Sequence, residues 1–186
     1  SRLDETLNIL TMFSNNDEVE FKGKHFDINT KPIFKNIKAA QNYPILCVCH
    51  GRSNIKSQFI RAAKHQGLIS ISDYPNEFKF AITKMNEFAN TLGRCPKQYQ
   101  SVFYMTININ NDPTKAEMEA DSFIKQYYGI NIWKERWGPF GEATKIIDRI
   151  NQYIEAGATT VIFRFASFNQ MQQLERFCEQ VQNKIQ

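Results

Sequence analysis

The sequence predicts an α/β fold with a parallel sheet, on three observations. Short apolar runs without polar alternation, such as YPILCVCH, GLISIS and TTVIFRFA, have the composition of strands covered on both faces. Stretches with apolar residues at helical spacing separate these runs. The alternation repeats as strand then helix through four βα units, and parallel strands need crossovers of this kind.

The elements follow in order. SRLDETLNIL carries Leu3, Leu7 and Leu10 on one helical face, and VEFKGKHFDI reads as a hairpin turning at Lys22-Gly23-Lys24. YPILCVCH is the first buried strand and ends near His50. Ser53 stands where a helix N-cap belongs, with Ile55, Phe59 and Ala62 behind it and Gly67 at its end. GLISIS is the second strand. Phe78, Ile82, Met85, Phe88 and Leu92 line a helix that Gly93 ends, and SVFYMTINI is the third strand. Asp112-Pro113 opens the next helix as cap and first-turn proline, and Gly129 closes it. INIWKERWGPFGE connects to a helix with Ala143, Ile147, Ile150 and Ile154, then TTVIFRFA is the fourth strand and Met171, Leu174, Cys178, Val181 and Ile185 line the last helix. One domain over residues 1–186 is expected.

Composition narrows the function. Hydrophobic residues are 42% and charged residues 23%, with a net charge of +4 from scattered basic residues, which gives no patch for nucleic acid. No apolar run reaches the roughly 20 residues that span a bilayer, and the N-terminus reads as an amphipathic helix rather than a signal peptide, so no membrane partner and a cytoplasmic location are expected. Cys47 and Cys49 share one face of a strand, and with four cysteines and three histidines in all the thiols read as reduced structural groups and no metal site is expected.

Two parallel architectures fit, a doubly wound open sheet and part of a (β/α)8 barrel. The first lacks its G-x-G-x-x-G turn, and no Walker A loop is present. A full barrel takes about 250 residues. In either, ligands lie beyond the carboxyl ends of the strands, which selects His50, Gly51, Arg52 and Ser53 after strand one, Asp73 and Tyr74 after strand two, Asn108 and Asn110 after strand three, and Arg164 and Ser167 near the end of strand four.

Gly51-Arg52-Ser53 combines a small residue, a guanidinium and a helix start, the outline of a phosphate cradle. The alternative is that Ser53 only caps its helix while Arg52 is solvated. Gly138 and Gly141 precede a second helix start that suits an anion or, equally, a turn. His50 is a candidate base near neutral pH, with a packed, hydrogen-bonded histidine as its alternative. His25 and His65 read as hairpin and helix-surface residues. Arg164, flanked by Ile162, Phe163 and Phe165, meets either a carboxylate or a ligand.

Taken together, RLDETLNIL with DEVEFKGKHFDI, PILCVCHGRSNIKSQFIRAAKHQGLIS, and GPFGEATKIIDRINQYIEAGATTVIFRFA resemble in order and spacing the luciferase-like flavin-dependent monooxygenases. The resemblance implies a (β/α)8 TIM-type barrel of which this chain supplies about the C-terminal half, with an inner face lined by residues such as Ile45, Cys47, Ile69, Phe103 or Val161. It implies an oxidoreductase in which reduced FMN, or the deazaflavin coenzyme F420 in one branch, acts on a small organic substrate with oxygen. Carried onto this sequence, the cofactor site takes in Gly51, Arg52 and Ser53, then Gly138 and Gly141, with Arg164 alongside; the catalytic residues are not assigned. A flavin reductase is a possible partner, and a homo-oligomer is expected because four units cannot close a barrel; the isolated chain is expected to be inactive. The alternatives are a non-catalytic flavin-binding or half-barrel assembly module, and a doubly wound small-molecule-binding domain.

Overall fold

The computed structural model describes residues 1–15, 18–31, 44–53, 55–132 and 136–185, in two compact units, Ser1–Ile45 and Leu46–Gln186. In the first unit, α1 (Arg2–Asn15) accompanies the antiparallel hairpin of β1 (Val19–Lys22) and β2 (Asp27–Thr30), in register Lys22 to Asp27. The hairpin turn is held by Glu5, whose carboxylate accepts from the N–H groups of Lys24, His25 and Phe26 at 3.0, 2.9 and 3.2 Å. Leu7 and Ile9 are buried while Leu3 and Leu10 are exposed, a correction to the expected leucine stripe: a two-stranded partner is too narrow to cover the whole face of a 14-residue helix.

The second unit runs β3 (Leu46–Val48), α2 (Lys56–Lys64), β4 (Gly67–Ile71), α3 (Pro75–Thr91), β5 (Gln100–Ile109), α4 (Pro113–Tyr128), β6 (Phe140–Gly141), α5 (Ala143–Glu155), β7 (Thr160–Phe165) and α6 (Gln170–Gln180). The strands are parallel: β3 pairs β4, β4 pairs β5, and β5 pairs β7, with the two-residue β6 against the carboxyl end of β5. Such a run, with its helices between the strands, is a partial (β/α) barrel.

Local chemistry accounts for the helix ends. Asp112 accepts from Thr114 and Lys115 N–H ahead of Pro113 at the start of α4, and Gly129 takes the left-handed conformation, φ 76°, at its end. Glu77 reaches back to the Tyr74 N–H at 2.7 Å at the start of α3. Ser53 does not cap α2. The helix begins at Lys56, after an N-cap Ile55 without a side-chain bond, because His50 to Ser53 closes a tight turn of its own, Ser53 N to His50 O at 3.1 Å.

The register assigns the two faces of the sheet. Cys47, Leu68, Ser70, Phe103 and Val161 share one face, where Phe103 stacks on Tyr153 of α5 at 3.7 Å and meets Phe78 of α3 edge-on, and Phe163 meets Phe177 of α6. Each such aromatic contributes about 1.5–3 kcal/mol by burial. Val48, Ile69, Ile71, Tyr104, Ile162 and Arg164 share the other face, which is the one partly left open. Val48 is 59% exposed and Ile162 40%. The expectation that Cys47, Phe103 and Val161 line the inner face is therefore corrected, since all lie under helices; Ile69 is on the open face as expected. His65, expected on the helix surface, is buried.

Candidate functional site at the carboxyl ends of the strands

At the ends of β3 and β4 the loops are tied together by Asp73, which is fully buried. Its Oδ2 accepts from the Gly51 N–H and the Ser70 hydroxyl, both at 2.8 Å. Its Oδ1 lies 3.4 Å from His50 Nδ1 and 3.6 Å from Arg52 Nη1. Burial alone would raise this carboxyl, but His50, Ser70 and the Gly51 N–H together hold it below the ordinary carboxylate range. Behind it, the Tyr153 hydroxyl donates to the Asp73 carbonyl, and burial pushes that phenol up to about 12.

Gln58 fixes the histidine. Its carboxamide accepts from His50 N–H at 3.0 Å and donates to His50 C=O at 2.9 Å. Gly51 is required for packing: a Cβ there would lie 1.7 Å from the Glu77 carbonyl oxygen. Ser72 adopts φ 61°, a conformation that non-glycine residues rarely hold, and its carbonyl accepts from both Arg52 Nη1 at 2.9 Å and Arg136 Nη1 at 3.1 Å. Arg136 also pairs with both oxygens of Glu77, at 2.8 and 3.2 Å, and lies over the Tyr74 ring at 4.1 Å. Arg136 therefore holds the Glu77 carboxyl below its usual range.

At the ends of β5 and β7 the second charged group is Arg164. Trp137, Tyr104, Tyr128 and Tyr127 surround its guanidinium, at 4.4, 5.5, 5.3 and 5.9 Å from their ring centres. It donates to the Tyr128 hydroxyl at 2.7 Å and to the Thr106 hydroxyl at 2.9 Å. Above it, Glu119 of α4 accepts from Asn108, Ser167 and the Phe168 N–H at 2.9, 2.6 and 3.2 Å, locking the strand ends to the helix. A cavity of about 230 Å³ opens beside Ile109, Asn110, Asn111, Arg176 and Gln180, where Arg176 donates to the Ile109 carbonyl at 2.6 Å.

Of the residues selected from sequence, the structure brings His50, Gly51, Arg52 and Asp73 into one network, while Arg164 stands in a second. Of the two partners expected for Arg164, no carboxylate pairs with it among the described residues, and aromatic rings surround its guanidinium. The Gly51 N–H is committed to Asp73 and the Ser53 N–H to the His50 carbonyl, so these two backbone donors of the expected phosphate cradle are used within the protein. Gly138 and Gly141 are both buried; Gly141, at φ 130°, ends the short strand whose carbonyl accepts from Asn110 N–H at 2.9 Å. Sequence reasoning missed Gln58, Glu77, Arg136 and Glu119, whose partners lie 8, 59, 59 and 48 residues away. Their signal was faint: Glu77 three residues after Tyr74 has capping-box spacing.

This geometry defines a class of structure, the partial (β/α) barrel with polar residues gathered at its strand ends. No protein-family model matches the chain, and no curated protein matches its sequence. Solved structures do match. The coenzyme F420 dependent tetrahydromethanopterin reductase from Methanopyrus kandleri aligns with a TM-score of 0.74 at 16% identity, over 96% of this chain and 61% of that one. Monooxygenase RslO1 from Streptomyces bottropensis aligns at 0.75 and 14%, over 96% and 59%. The oxygenating constituent of 3,6-diketocamphane monooxygenase from Pseudomonas putida, in complex with FMN, aligns at 0.64 and 15%, over 99% and 63%. The fold is thus that of the luciferase-like barrels, and this chain spans about three-fifths of the length of these structures.

Proposed function

We propose that the chain provides the strand-end half of a flavin-binding oxidoreductase site, acting as a luciferase-like monooxygenase in which reduced FMN, or F420, and oxygen oxidise a small organic substrate. The observation that carries this reading is the gathering of three guanidiniums, Arg52, Arg136 and Arg164, at the carboxyl ends of parallel strands in the fold of proteins named for F420 and FMN. Cofactors of this kind carry a phosphate, and fixed arginines suit it.

The residues present fit such a group in part. Arg52 is held by the Ser72 carbonyl, so its charge is pre-positioned rather than swinging. Gly51, Ser53, Gly138 and Gly141 shape the loops around it, and Arg164 with Tyr104 and Trp137 offers an aromatic and cationic wall. When bound, the flavin supplies the redox chemistry; the chain binds and orients it. A single domain, a homo-oligomeric assembly and a flavin reductase partner belong to the same proposal. Among the described residues no helix is long and apolar enough to cross a membrane.

The test compares FMN with riboflavin. Arg52→Ala should weaken FMN binding by about 1.5–3 kcal/mol, the worth of a charged hydrogen bond, and leave riboflavin binding nearly unchanged. Equal losses for both ligands would reject a phosphate contact.

A further inference from the structure

We propose that His50 is a proton-transfer residue of the strand-end site, oriented by Asp73 and Gln58; this rests on the reading above that the strand ends hold a small ligand. Several independent features of the molecule converge on it. His50 Nδ1 and Asp73 Oδ1 are both buried, make no hydrogen bond of ordinary geometry among the described residues and face one another at 3.4 Å, with Arg52 Nη1 3.6 Å from the same carboxylate oxygen, so a proton held between the nitrogen and the carboxylate is the contact that would satisfy both. Catalytic hydrogen bonds without ligand are commonly this long. The other carboxylate oxygen is already occupied by Gly51 and Ser70, which fixes the plane in which Oδ1 meets the ring. Gln58 grips both polar groups of the His50 backbone, so the ring is placed from two sides.

With Nδ1 facing the carboxylate, Nε2 is the free end. It makes no hydrogen bond among the described residues and is not among the buried polar atoms. It therefore opens at the carboxyl end of β3, where ligands of parallel sheets sit. A hydrogen bond at one ring nitrogen sets which nitrogen carries the proton, so the Asp73 carboxylate selects the Nδ1–H form and leaves the Nε2 lone pair for chemistry. In the base direction that lone pair takes the proton of an acidic O–H or N–H of the ligand, the bonding electrons stay with the ligand, and the imidazolium formed is held beside the carboxylate. The reverse step returns the proton. The charged groups around the ring are Asp73 from the end of β4 and Arg52 from its own loop, with Glu77 of α3 and Arg136 behind them. Asp73 and Gln58 are positioning residues.

Two measurements on the intact chain test this. Spectra of the chain carrying ¹⁵N-labelled histidine, with the His50 signals identified by their loss in His50→Gln, should show neutral His50 protonated at Nδ1; Asp73→Asn, which keeps the size but removes the charge, should move it toward the Nε2–H form. An Nε2–H form in the unaltered protein would overturn the proposal without any variant having to fold. Second, diethyl pyrocarbonate, which acylates an accessible neutral imidazole nitrogen, should modify His50, read by mass spectrometry, faster than buried His65. FMN at about ten times its Kd should slow that modification about tenfold by occupancy alone. FMN binding, followed by its fluorescence, with unslowed acylation of His50 would overturn the assignment of His50 while leaving the flavin reading intact. No FMN binding at all would overturn the flavin reading and this proposal with it.

Discussion

Replacing Arg164 by methionine removes a cation from the open face of the sheet while keeping a long apolar stem. The side chain gives up its bonds to the Tyr128 and Thr106 hydroxyls at 2.7 and 2.9 Å, and charged hydrogen bonds of this kind are worth about 1.5–3 kcal/mol each. It also gives up the approach of the guanidinium to Trp137 at 4.4 Å, worth about 0.5–2 kcal/mol. Against these losses, the thioether refills the space among the rings, and both hydroxyls can turn to other partners, which returns much of the sum. The net expected loss is about 1–3 kcal/mol, a fall in Tm of about 3–10 °C for a unit of this size. Thermal unfolding followed by circular dichroism reads it. Tyr128→Phe, which removes one of the bonds and nothing else, should cost about 1 kcal/mol. A loss beyond about 4 kcal/mol in Arg164→Met would refute the reasoning, because that is the scale of stranding a buried carboxylate partner. No loss at all would equally refute it, since it would mean the ring cage holds nothing.

Gly51→Ala places a Cβ against the Glu77 carbonyl oxygen, at 1.7 Å in the unrelaxed geometry, and should destabilise by about 3 kcal/mol or more; a melting temperature unchanged from the parent would show that the loop moves aside freely. The Glu5 carboxyl is held below its ordinary range: the little burial it has would raise it, and the N–H bonds from His25, Lys24 and Phe26 lower it. Its contribution is therefore present at and above the usual glutamate range and is lost as pH falls through the depressed value, so the amides of Lys24, His25 and Phe26 should lose hydrogen-exchange protection on acidification, and Glu5→Gln should show no such pH step. The outer edges of β3 and β7 have no partner strand among the described residues, and with Val48 and Ile162 exposed beside them the isolated chain should self-associate in sedimentation across a concentration series; a monomer at every concentration would contradict this.

Much of the fold was legible because its signals are local. The Asp112-Pro113 start, the Gly129 stop and the Lys22-Gly23-Lys24 hairpin each state their geometry within a few residues. The faces of the sheet were not legible, for a physical reason: a strand apolar on both sides carries no phase, so nothing in PILCVCH distinguishes Cys47, under helices, from Val48, in the open. The strand-end residues were legible as a group, from the rule that ligands gather there, but their pairings were not. Asp73 meets Gly51 across 22 residues and Arg136 meets Glu77 across 59, and sequence spacing does not encode such distances. Ser53 shows the converse error, a residue with the right chemistry for a cap that lies two positions before the actual N-cap, Ile55.

Arg136 and Trp137, between α4 and α5, link the two strand-end networks. Arg136 points to the Ser72 carbonyl and Glu77, fixing it to the end of β4, while the adjacent Trp137 is buried against α4 and stacks on Arg164 of β7. Consecutive residues thus brace both sides of the strand-end surface, and Phe140 and Gly141 continue as the short strand on β5. The left-handed Ser72, whose backbone costs about 1–2 kcal/mol, is offset by the two guanidiniums that converge on its carbonyl. Strain of this sort persists where surrounding groups over-determine it, and here the groups that do so are two cations, Arg52 and Arg136. Loop geometry and electrostatics are therefore set by the same residues, so that a change in either arginine alters the shape of the strand-end loops together with their charge.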